Sequence, residues 1–187
     1  MHRRHVVLGS LGFLLFKDAL AEGVTRVRGA ALINGTPSKP GATVKAGDTI
    51  VTGPKSDIVL VVGRDAMLVR ENSNVTLAKE GFRLVTGAVL GVFAPRQRKE
   101  LKTGTATIGI RGTAVYLEAE RTRTYACTCF GETVIAPIDG GNAETVRPAQ
   151  RHEPRYIYAR GAPRMVAPAP MLNHTEAELE LLQKLLR

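Results

Sequence analysis

Turn-forming residues interrupt this sequence at a short, regular interval, and that interval constrains the fold more than any other feature. Asn34-Gly35, Gly47-Asp48, Gly53-Pro54, Gly63-Arg64-Asp65, Asn72-Ser73-Asn74, Gly87, Gly112 and Gly131 each punctuate the chain. Between them lie apolar or β-branched runs: 24–33, 49–52, 58–62, 66–69, 82–84, 89–92, 105–110, 114–117, 125–130 and 133–135. A break roughly every 8–12 residues leaves no room for helices of ordinary length and is the spacing of short strands. The expectation is an all-β fold over residues 22–136, a twisted β-sandwich or irregular β-solenoid.

The character changes after residue 136. Five of the ten prolines fall between Pro148 and Pro170, which predicts an extended Pro-rich segment over 137–170. Residues 171–187 predict one amphipathic C-terminal helix. Thr175 and Glu178 have capping-box spacing. Leu179, Leu182 and Leu186 share one face, and Lys184 and Arg187 lie near the end, where the helix dipole favours cations.

Residues 1–21 have the order of an export signal: Arg3 and Arg4, an apolar run from Val6 to Phe16, then Ala19-Leu20-Ala21, with cleavage expected after Ala21. The apolar run is too short to span a bilayer, which takes about 20 residues. Paired arginines allow either the general secretory or the twin-arginine route. The expectation is a periplasmic or secreted protein with no transmembrane span in the mature chain. Lysine and arginine outnumber acidic residues 26 to 17. In an exported protein that excess points away from nucleic acid and towards an envelope protein or an anionic envelope component. Arg96, Arg98 and Lys99, following Pro95, form the basic tip best placed for such a partner.

Several of these pieces, taken in order, resemble the FecR-type domain, the exported domain of iron-dicitrate transport regulators. They are Ala46 to Gly53, the apolar strand ending at Gly63-Arg64-Asp65, Arg70-Glu71-Asn72-Ser73, Leu84 to Val89, and Thr105 to Thr113. The stretch around Cys127 and Cys129, with Arg151-His152 and Asn173 to Leu179, resembles a stand-alone exported form of that domain. The resemblance implies a twisted all-β domain that binds another protein in signalling. The cytoplasmic segment through which those regulators reach a sigma factor has no counterpart in this sequence.

The chemistry is concentrated in few residues. Gly104, Gly109 and Gly112 suggest a phosphate loop, but no Gly-Lys-Ser/Thr ending follows. Gly109, Arg111 and Gly112 are therefore read as structural. No nucleophile elbow or paired general acid and base stands out, so the expectation is a non-catalytic protein. Cys127 and Cys129 are two apart on a predicted strand, so they share a face with Cα atoms about 6.6 Å apart. That spacing admits a strained disulfide, two free buried thiols, or half of a soft-metal site. His152 and His174 are the two histidines beyond the export signal. A tail folded back over the strand would make Cys127, Cys129, His152 and His174 a site for zinc or copper. A metal-binding or thiol-redox protein is thus the alternative to a purely protein-binding domain.

Overall fold

A computed structural model describes residues 22–95 and 97–187, so the export signal and Arg96 lie outside the described residues. About 52% of the described residues are strand, arranged in one large sheet that does not close into a barrel, with a single C-terminal helix. The elements are β1 (Gly23–Arg28), β2 (Ala31–Ile33), β3 (Thr36–Pro37), β4 (Thr49–Thr52), β5 (Asp57–Val62), β6 (Asp65–Val69), β7 (Asn74–Ala78) and β8 (Gly81–Val92). There follow β9 (Arg98–Lys102), β10 (Ala106–Arg111), β11 (Ala114–Ala119), β12 (Arg123–Phe130), β13 (Thr133–Pro137), β14 (Glu144–Val146), β15 (Glu153–Tyr158), β16 (Val166–Pro168) and α1 (Glu176–Lys184).

The long strand β8 organises the molecule. Its first part pairs with β7 and β9 in the half-sheet β3-β2-β4-β7-β8-β9-β10-β13-β14. Its second part pairs with β6 and β11 in the half-sheet β1-β5-β6-β8-β11-β12-β15-β16. Pairing is antiparallel except between β8 and β9. A bulge at Val85, between the Asn74–Thr86 and Val75–Leu84 pairs, inserts one residue and inverts the side-chain alternation. Phe82 and Leu84 therefore face the same core as Val89, while Ala88, Leu90 and Val92 face the other way.

Two apolar clusters result. The inner one draws Ile50, Val75, Leu84, Leu101, Ile108 and Ile135 from one half-sheet and Ile58, Leu60, Val69 and Leu117 from the other. The outer one lies on the opposite face of the second half-sheet and includes Val59, Val61, Leu68, Leu90, Tyr116, Tyr125, Cys127 and Cys129. β5 is buried on both faces, which is why Ile58 to Val61 reads as an uninterrupted apolar run. The helix α1 covers the outer cluster with Leu179 and Leu182, each fully buried and worth about 1.5–3 kcal/mol. Its N-terminus closes as the sequence predicts: the Glu178 backbone N–H donates to Thr175 Oγ1, and the Thr175 N–H donates to the Glu178 carboxylate. No helix among the described residues is long and apolar enough to cross a membrane.

The structure departs from the sequence expectation in places. The run 24–33 is two strands, broken at Gly29, whose φ of +66° suits glycine. The runs 82–84 and 89–92 are one strand. Strands β7 and β9 lie outside the expected runs: β7 alternates, with Val75 and Leu77 buried, directly after the polar Asn72-Ser73-Asn74 turn, and β9 is charged at every position but Leu101. Residues 137–170 do not merely run over the domain: β14 extends one half-sheet, and β15 and β16 extend the other.

Candidate metal centre

The strand β12 supplies two sulfurs. Cys127 and Cys129 point to its outer face and are fully buried free thiols. The antiparallel register of β12 and β15 pairs Thr128 with Glu153. One step further, His152 lies beside Cys129, and its backbone N–H donates to the Cys129 carbonyl at 3.2 Å. His152 adopts φ +59°, a left-handed conformation that turns the chain into β15 and lays its ring over the sulfurs. His174 arrives from the other direction. It directly precedes the helix cap, and its approach is fixed by two bonds: Leu172 N–H to the Tyr125 hydroxyl (3.0 Å) and Asn173 Nδ2 to Glu118 (2.7 Å). Its ring stacks on Tyr116 with centroids 4.5 Å apart and is 5% exposed.

The four candidate atoms lie within 4.8 Å of one another. Cys129 Sγ to His174 Nε2 is 3.5 Å, Cys127 Sγ to His152 Nδ1 is 3.7 Å, and His152 Nδ1 to His174 Nε2 is 3.2 Å. Metal–ligand lengths of about 2.3 Å to sulfur and 2.0–2.1 Å to nitrogen give tetrahedral edges of about 3.5 Å between N and S and 3.3 Å between two N. The observed separations are close to those edges.

The outward nitrogens fix the protonation of the inward ones. His174 Nδ1 lies 2.6 Å from the Leu172 carbonyl, which can only accept, so Nδ1 carries the proton. His152 Nε2 lies 2.5 Å from Glu176 Oε1. That hydrogen bond, with Arg151 nearby, holds the Glu176 carboxyl below its ordinary range, so Glu176 accepts and Nε2 carries the proton. In the neutral rings, both inward nitrogens are then lone pairs pointing at each other. Only thiol protons are available within the cluster to separate them. The Cys127 thiol is held below the ordinary range, first by the Cys129 thiol and then by both histidines, against its burial. Cys129, as donor to Cys127 in a buried setting, is pushed up. A cation at the centre would meet two sulfurs and two lone pairs. An imidazole ligand that donates its other N–H to a carbonyl or carboxylate is the usual support of a metal site.

Spacing alone predicts the shared face of the cysteines. It does not predict Glu176, the Leu172 carbonyl or Tyr116, since nothing local in the sequence links them to the residues they meet. Elsewhere, Arg98 is exposed and stands opposite Arg111 in the β9–β10 ladder, and Gly109 lies within β10. Gly112 takes φ +62° in the turn between β10 and β11. Lys99 does not belong to an exposed tip: its Nζ is 2.9 Å from Asp65 Oδ2, and both side chains are 11% exposed. Asp65 also accepts from the Ala94 N–H. Lys99→Ala would leave that carboxylate unpaired in a largely buried position. It is expected to destabilise the fold by about 3 kcal/mol, read as a lowered urea midpoint. An unchanged midpoint would show the pair to be solvated and dispensable.

No family model and no curated protein matches this sequence. Its fold does resemble solved structures. Two crystal structures of a proposed anti-sigma factor from Parabacteroides distasonis ATCC 8503, at 1.65 and 2.50 Å resolution, align with TM-scores of 0.54 and 0.53 at 8% and 7% identity. Each alignment covers 64% of this chain and 59% of that one, so this chain spans less than two thirds of the protein it matches. At that identity the likeness is one of fold.

Proposed function

We propose that this is a non-catalytic, exported β domain of the FecR type that binds one soft metal ion, zinc or copper, and acts as a regulatory module towards another envelope protein. The observation that carries the metal reading is the convergence of Cys127, Cys129, His152 and His174, with both imidazoles supported from outside. Four protein ligands leave no open coordination position, which is the pattern of structural zinc and not of catalytic zinc. Thiolate with imidazole is also a donor set for copper. The regulatory part is supported by the FecR-type sequence pattern and by a fold shared with a proposed anti-sigma factor. Burial of both sulfurs weighs against thiol exchange, which needs an accessible thiolate.

Purified anaerobically, the mature protein is expected to carry about one equivalent of zinc or copper by elemental analysis. Cys127→Ser should weaken binding by more than about 100-fold, and Glu176→Ala, which removes the acceptor for His152 together with the Arg151 pair, by about 10-fold. Binding should fall as pH falls, because protons compete for sulfur and imidazole. A metal-free protein that does not take up either ion would end the metal reading.

A further inference from the structure

We propose that metal occupancy at this site controls whether the C-terminal segment is seated on the sheet, and so whether the outer apolar face is covered. This rests on the metal reading above. The four ligands come from three separate pieces of chain: two from β12 in the body of the sheet, one from the turn before β15, and one from the segment leading into α1. A metal held by all four ties that last segment to β12. The connection to the helix is short. His174 immediately precedes the cap residue Thr175, and Glu176 in the first turn bonds His152.

Without a metal the segment is held by polar contacts, including the Arg151–Glu176 pair, and by its apolar face. Arg70 pairs with Glu178 at 2.7 Å, with both side chains more than a quarter exposed. Exposed pairs of this kind contribute little. The Tyr125 and Glu118 bonds hold Leu172 and Asn173, and Leu179 and Leu182, flanked by Leu172, Leu185 and Leu186, supply the apolar contact. A nine-residue helix is marginal in isolation, so once unseated α1 unwinds. Its departure exposes Leu68 and Leu90 on β6 and β8, the strands against which the helix packs. The site thereby couples metal concentration to the exposure of an apolar surface.

The test is amide hydrogen exchange on the mature protein, with zinc alone as the probe, alongside elemental analysis. A ligand that binds only the seated form slows opening in proportion to its excess. Zinc at 100 times its measured Kd should slow exchange of residues 172–186 by about 100-fold relative to chelated protein. In Cys127→Ser that dependence on zinc should vanish while the half-sheets stay folded. Stoichiometric zinc with tail exchange changed by less than about 2-fold would overturn the inference and leave the metal reading standing, because linkage demands the larger change. Failure to take up zinc or copper at all would remove the metal reading and this inference together.

Discussion

Gly87→Ala is expected to lower stability by about 3 kcal/mol or more, a fall in melting temperature of roughly 6–12 °C for a chain of this size. Two effects combine at this position. The backbone holds φ +85°, which an L side chain adopts only at a cost of about 1–2 kcal/mol. A Cβ there would also lie 2.2 Å from Ser73 Oγ and 2.4 Å from Ser73 Cα. Ser73 cannot yield cheaply. Its Oγ accepts from the Ala88 N–H at 2.9 Å and donates to the Ala88 carbonyl at 3.2 Å, so movement breaks buried hydrogen bonds at the point where β8 passes between half-sheets. Gly104→Ala provides the contrast: a methyl group there would have nothing within 4 Å, and the variant should melt close to the parent. If Gly87→Ala also melted within a degree or two of the parent, the close approach would be relieved by local adjustment and would not restrain the bend.

Leu182→Asp is expected to release α1. Leu182 is fully buried against the outer cluster, and a carboxylate there would find no partner. The cheaper response is for the helix to leave, losing the burial of both Leu179 and Leu182, about 3–6 kcal/mol in all. Since α1 is the only helix among the described residues, its loss should remove most of the helical signal in circular dichroism while the strand signal persists. Leu182→Met, which keeps the volume, should cost less than about 1.5 kcal/mol. Retention of the helical signal in Leu182→Asp would mean that the helix is held by its polar contacts and not by this face.

The parts of the fold legible in the sequence are those set by local rules. Strand–turn alternation marks most strands of residues 22–136, because glycine and Asn-Gly make sharp turns whatever lies across the sheet. The capping box places the helix start within a residue. What local rules cannot reach is pairing. The parallel partnership of β8 with β9 and the bulge at Val85 depend on neighbours distant in sequence. The residues of β9 read as a basic tip because Lys99 shows no sign of its Asp65 partner. The candidate metal site is legible in the same uneven way. The two cysteines share a face by strand period alone. Joining His152 and His174 to them rests on there being few other histidines; the register that sets His152 beside Cys129, and the Tyr116 ring stacked on His174, emerge only from the folded chain.

Cys129 precedes His174 by 45 residues, and that interval bears on how the protein is made. A chain growing from its N-terminus carries both thiols for a long time before the second imidazole exists. If such a chain is threaded outward unfolded, the thiols meet an oxidising environment with no imidazole partner and only each other to react with. If it folds before it crosses, the thiols are buried and surrounded first. If the chain is exported as proposed, the timing of folding against crossing would then decide which chemical form of the pair reaches its destination.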